Sequence, residues 1–216
     1  VGHGARPFAD GLDAIYSRHN ENYPGEFMEM EYPLRMERYA IAKDSGGPGL
    51  HRGGCGIIRD VRILADEGTF GLRVENNIFP TWGVAGGMGG GTSKVIINPG
   101  TPLEREIRAF SDDNLWSKGD LVRVYTAGGG GWGDPLERGP ERVLEDVLDG
   151  FVSIEAAQDS YGVVIDQESL AINPRATADK RQELSSSRGP TKLFHRFRYF
   201  DTAEEELEWV EKHIPR

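Results

Sequence analysis

Twenty-nine of the 216 residues are glycine, and they are unevenly spread. They gather at 46–56, 83–91 and 128–133, each time with few large side chains between them. Such segments cannot build an apolar face. They must serve as turns or as places where one backbone closely approaches another. We read them as ordered loops rather than linkers, because the chain between them has the pattern of a folded sheet. Arg35 to Ala42, Gly56 to Leu64, Thr69 to Val74, Lys94 to Asn98 and Leu121 to Thr126 are short β-like runs. Several alternate apolar and polar residues, as in Leu121-Val122-Arg123-Val124-Tyr125, which suits strands with one wet face.

After Asp134-Pro135 the period changes. Pro140 sits near a helix start, Val143, Leu144, Val147 and Leu148 form one apolar stripe, and Gly150 follows at the C′ position. A second helix is expected from a Ser153 cap through Ala156 and Ala157 to Tyr161, stopped by Gly162. Ser185 to Thr191 reads as a linker broken by Gly189-Pro190. A last helix is expected from the capping box of Thr202 and Glu205 to Lys212 and His213, with Leu207, Val210 and Ile214 on one face. The expected fold is therefore α+β. A β-rich, glycine-looped region over 1–135 precedes a helical hairpin extension over 136–184, then a linker and C-terminal tail helix over 185–216.

Charge narrows the function. There are 35 acidic against 25 basic residues and no basic run long enough to track phosphates, which excludes nucleic acid as the expected partner. One cysteine, Cys55, allows neither an internal disulfide nor a multi-cysteine zinc site. No glycosylation sequon, membrane span or signal peptide is found, so a cytoplasmic setting without membrane contact is expected. The chain opens at Val1 in a glycine-rich run, which reads as the interior of a longer protein.

Gly128, Gly130 and Gly133 satisfy G-x-G-x-x-G, but Asp134-Pro135 intervenes before any helix and no βαβ unit surrounds the run. A tight loop against another chain or a pocket is the better reading. His19, within Arg18-His19-Asn20-Glu21-Asn22, is either an acid/base or ligand beside amides and carboxylates, or part of a solvated loop. Glu26, Glu29 and Glu31 precede Tyr32-Pro33; in an extended segment 29 and 31 share one face, either as an acid pair or as a polar strand face. None of the five histidines stands at metal-site spacing, and Cys55 has no sequence-near base.

Read in order, several segments resemble the hydantoinase B/5-oxoprolinase family. They are Gly4-Ala5-Arg6-Pro7, Asp10-Gly11, Tyr32-Pro33-Leu34-Arg35, Asp44 to Gly49, Arg52-Gly53-Gly54, Trp82-Gly83 and Gly128 to Arg138. The likeness runs to about residue 165. It implies the C-terminal part of a B-type subunit that works with an ATP-binding A-type subunit and with the rest of its own polypeptide on a small-molecule substrate. ATP would sit on the A-type partner, and a divalent metal would be held outside this stretch. Relatives open cyclic amides or carboxylate ketones. Arg18-His19-Asn20 stands where many cyclic-amide hydrolases carry Thr-Asn-Thr, which tilts the reading toward bicarbonate-dependent carboxylation of a ketone, with hydrolysis of a cyclic amide and a purely structural subunit as alternatives. The implied roles are His19 as the group that polarises or deprotonates substrate, Glu26 and Glu29 as its orienters, and Gly129, Gly130 and Gly131 as backbone donors to an anion.

Overall fold

A computed structural model describes residues 1–15, 23–188, 193–195, 198–200 and 208. Every strand pair in it is antiparallel. Five strands form the main sheet: β1 (Leu34–Ile41), β2 (Ile57–Ile63), β4 (Lys94–Ile97), β5 (Arg105–Ile107) and β7 (Leu121–Tyr125), in the order β1-β2-β7-β4-β5. β3 (Glu67–Leu72) pairs with β6 (Ser111–Ser117) as a separate ribbon. The ribbon lies on one face of the sheet. Phe70 and Trp116 stack at 5.2 Å between ring centroids and pack, with Leu72 and Val74, on the buried Ile63, Val95, Ile97, Ile107 and Val122. Period-2 alternation places those residues on one side of their strands, and burying them is the main driving force for this half of the molecule.

The five runs expected as strands are strands. β5 and β6 are not legible in the sequence, because Asp112-Asp113-Asn114 reads as a turn and Asp113 does adopt a left-handed φ of 55° inside β6. The acidic segment differs more. Gly25–Glu31 is a helix, α1, following Pro24 and ending at Tyr32, whose extended backbone (φ −126°, ψ 146°) is what a following proline favours. Five residues of Glu26 to Glu31 are Glu or Met, strong helix formers, and that local preference outweighs the alternation. Glu26 and Glu29, three apart, therefore share a helix side, whereas Glu29 and Glu31 do not.

Beyond the sheet, Pro135–Glu137 forms a 3-10 turn and Pro140–Leu148 and Ile154–Tyr161 form α2 and α3. Ser153 Oγ accepts from Ala156 N–H at 3.0 Å, and Gly150 and Gly162 both have positive φ, the stops their positions predict. Val143, Val152, Ala157, Tyr161, Val163 and Ile165 make a second core under these helices. A further helix, α4 (Pro174–Arg188), carries no apolar stripe, which is why periodicity misses it, and it runs through Ser185 to Ser187 where a linker was expected. A short ribbon, β8 (Leu193–His195) with β9 (Arg198–Phe200), follows. The expected tail helix from Thr202 lies outside the described residues except at Glu208, which is helical.

Candidate functional site

The glycine clusters converge into one bundle. β1, β2, β4 and β7 each run directly into it, through 42–49, 51–56, 87–93 and 127–133 respectively, and residues 2–14 join them. The central segment, 127–133, bonds to a new neighbour at almost every step. Gly128 N–H donates to Gly91 O (3.1 Å), Gly129 N–H to Gly54 O (2.8 Å), Gly131 N–H to Met88 O (2.9 Å) and Trp132 N–H to His51 O (2.9 Å). The carbonyls of Ala127, Gly129, Gly130 and Gly131 accept from Gly2, Gly47, Ala5 and Val84. A β-ladder cannot do this, since its bonds lie in one plane; an extended chain with about three residues per turn points them outward in all directions. Only glycine permits the packing. A Cβ on Gly128 would fall on the Ser45 carbonyl, one on Gly129 on the His3 carbonyl, and one on Gly53 on the Gly129 carbonyl.

At one side the bundle opens into a cavity of ≈ 350 Å³, lined by Gly2, Gly4, Asn76, Pro80, Thr81, Trp82, Gly129 and Gly130. The lining contains no charged side chain. Thr81 Oγ donates to Gly128 O at 2.6 Å, and Asn76 is held at a φ of 55° with its carbonyl accepting from Ser93 N–H at 3.0 Å. Gly129 and Gly131 have spent their N–H groups within the bundle; among the described residues the Gly130 N–H has no partner. Of the three expected anion donors, one is thus available. The glycine run does not open a helix either, since Asp134 Oδ1 accepts from Leu136 N–H (2.8 Å) and caps only the 3-10 turn.

On another side a buried ionic cluster fastens the bundle to α2. Arg138 donates to both oxygens of Asp10 (2.8 and 2.9 Å) and through Nε to Asp146 (3.0 Å). Arg52 donates to both oxygens of Asp13 (2.8 and 3.2 Å) and to Asp146 (3.3 Å), while its guanidinium lies 4.6 Å from the Phe151 ring centroid. Arg142 completes the set at 3.0 Å from Asp10, giving three cations against three carboxylates. Burial raises the Asp10 carboxyl, but the bonds and charge of Arg138, the Arg52 N–H and the charge of Arg142 outweigh it and leave it below the usual carboxylate range. For Asp146 burial wins over the pull of Arg138 and Arg52, and its carboxyl is pushed up. Cys55 is fully buried, with its thiol raised by burial against the pull of Arg52. That suits a packing residue, not a nucleophile.

His19 lies outside the described residues. Glu26 and Glu29 are exposed on α1, neither lines the cavity, and Glu29 is engaged in the fold, accepting from Met36 N–H at 2.8 Å. Trp82, Asn76, Asp10, Arg52, Arg138 and Asp146 were given no role by sequence reasoning. Arg52 and Arg138 sit in glycine-flanked motifs, where a long cation beside a side-chain-free backbone was the available signal.

The family model described as hydantoinase B/oxoprolinase matches residues 1–135, which takes in the bundle and the whole sheet. The chain belongs to that family. Within hydantoinase B proteins it is 36% identical, over 166 residues, to a D-/L-hydantoinase component of this type from Pseudomonas sp. (strain NS671), covering 76% of this chain and 28% of that protein. It is 27% identical over 227 residues to the acetone carboxylase alpha subunit of Xanthobacter autotrophicus, covering 87% and 29%. The crystal structure of the ATP-dependent caprolactamase from Pseudomonas jessenii superposes with a TM-score of 0.69 at 26% identity, over 84% of this chain and 32% of that one. The chain thus spans about a third or less of the length of the hydantoinase B relatives it matches. Among the described residues no three His, Cys, Asp or Glu side chains come together to hold a metal ion, and no helix is long and apolar enough to cross a membrane.

Proposed function

We propose that this chain is the C-terminal part of a B-type subunit in an ATP-dependent assembly, and that its bundle walls the chamber where a small neutral carbonyl compound is transformed. The observation that carries this reading is the coincidence of the family match with the bundle and its uncharged cavity. Phosphorylation of an amide oxygen opens the carbon to attack and lets that oxygen depart as phosphate, whereas phosphorylation of an enolate oxygen holds the ketone in its enol form and the oxygen stays with the product; either task belongs to an A-type subunit carrying ATP. The residues here then have positioning work. Gly130 N–H offers one hydrogen bond to a carbonyl oxygen, and the Trp82 ring offers an apolar face to a planar ligand. Glu26, on the exposed side of α1, and His19 act on substrate only if the assembled complex brings them to the chamber.

The reaction favoured is carboxylation of a ketone with bicarbonate. The Arg18-His19-Asn20 sequence supports it, as does the reach of the acetone carboxylase alignment over 87% of the chain. Hydrolysis of a cyclic amide is supported by the higher identity, 36%, to the hydantoinase component. A single assay separates them: ATP turnover by the purified native assembly, with and without bicarbonate, across ketones and cyclic amides. Bicarbonate-dependent ATP use with a ketone is expected. Ring opening without bicarbonate overturns the carboxylation reading, and an assembly without ATP turnover on either class overturns the catalytic reading in favour of a structural subunit.

A further inference from the structure

From Asn76 to Ser93, between Glu75 and Lys94, the chain has no charged residue, although 28% of all residues are charged. This stretch joins β3 to β4 and carries Asn76, Pro80, Thr81 and Trp82 at the cavity. It does not bury its apolar groups. Ile78 is 72% exposed, Phe79 51%, Trp82 48% and Val84 51%, with Met88 exposed beside them. Five large apolar side chains in eleven residues, unbroken by charge, form the kind of surface that proteins keep from water, and charge depletion marks the buried centre of an interface. Its backbone is nonetheless held in place. Val84 N–H, Gly87 N–H, Met88 N–H and Gly90 N–H donate to Gly131, Val84, Pro48 and Thr81 carbonyls. The loop is thus a fixed apolar platform, with Ile78 and Val84 more than half-exposed at its outer face.

We propose that this platform, Ile78 to Met88, is covered by the remainder of the same B-type polypeptide, which closes the cavity beneath Trp82. The proposal rests on the reading of the chain as part of a longer subunit. Two observations select this occupant. The relatives carry more than twice as much chain again beyond the matched stretch, since this chain spans 28% and 29% of them. A contact that never has to dissociate tolerates an uncharged apolar surface, whereas exchanging partners are met through more polar interfaces. The seam also accounts for the cavity's open side.

The test uses the complete B-type polypeptide, purified without its A-type partner. Ile78→Cys and Leu103→Cys are labelled with a neutral maleimide and read by peptide mass spectrometry; their native exposures here, 72% and 73%, are matched, and Leu103 lies off the platform between β4 and β5. Buried Cys55 stays silent. Labelling of Ile78→Cys at least tenfold slower than Leu103→Cys, independent of protein concentration, supports the proposal. Equal rates overturn it, including the case where adding the A-type subunit then protects Ile78→Cys. Protection that disappears on dilution also overturns it, by naming a second copy as the occupant. An intact mass showing no further chain would instead overturn the B-type reading itself. Val84→Cys against Phe110→Cys repeats the comparison should Ile78→Cys disturb folding.

Discussion

The glycine bundle and the helical cap of α2 and α3 are held together in opposite ways. In the cap, Val143, Val152, Ala157 and Tyr161 fill space and the backbone follows. In the bundle the backbones fill the space, and a side chain at Gly53, Gly128 or Gly129 would be an intruder. Tolerance to substitution should therefore differ sharply between two regions of comparable burial, because a side-chain core can relax around a lost or gained methyl while packed main chain cannot.

The largest effect is expected from Gly128→Ala or Gly53→Ala, each of which drives a methyl into backbone: a loss of more than about 4 kcal/mol, read as loss of soluble protein or of the thermal transition. Gly139→Ala, where the nearest atom to a new Cβ is 3.8 Å away, should shift stability by less than about 1 kcal/mol. A Gly128→Ala variant that melts like its parent would remove the comparison altogether. The seam between the regions comes next. Asp146→Asn removes one of the two carboxylates that Arg52 and Arg138 each touch, while Asp13 and Asp10 stay in place, and a loss of about 1–3 kcal/mol in chemical denaturation is expected. Within the cap, Tyr161→Phe sharpens the contrast in the other direction. Among the described residues the buried Tyr161 hydroxyl has no partner, so its removal should leave stability within about 1 kcal/mol of the parent or raise it. A larger loss would mean that an ordered water links the hydroxyl to the ionic cluster.

The smallest effect belongs to the surface. Glu37 bonds Arg62 and Arg35, and those hydrogen bonds lower its carboxyl from 4.5 to about 2. A depressed folded value means that its contribution is present above pH 4.5 and fades as pH falls toward 2. Glu37→Gln should lower stability at neutral pH by less than about 1 kcal/mol, as an exposed pair requires, flatten the profile between pH 4.5 and 2, and leave stability at lower pH unchanged.

What could be read in advance follows the same division. The cap was legible nearly to the residue, because Ser153, Gly150 and Gly162 are local signals for local geometry. Five strands were legible from alternation. The bundle was legible only as the expectation that backbones approach closely at the glycines; which segments meet depends on contacts as distant as Gly2 with Ala127. The helix α1 escapes such reading because alternating Glu and Met fit an extended face as well as a helix. The candidate site was only partly legible. Gly129 and Gly130 do line the cavity, but Gly131 does not, and Trp82 and Asn76 reach it only through the fold.

The central position of residues 127–133 also bears on how the molecule comes to be folded. Their partners are drawn from 2–5, 47–54 and 84–91, so the bonding of this segment is complete only when three separate stretches, the farthest at the other end of the sheet region, have been gathered around it. Loop-closure entropy must be met before those bonds are gained, and such non-local topologies fold slowly. The sheet lowers that cost, since β2, β4 and β7 are neighbours and continue directly into the bundle, so pairing them already brings three of its segments side by side.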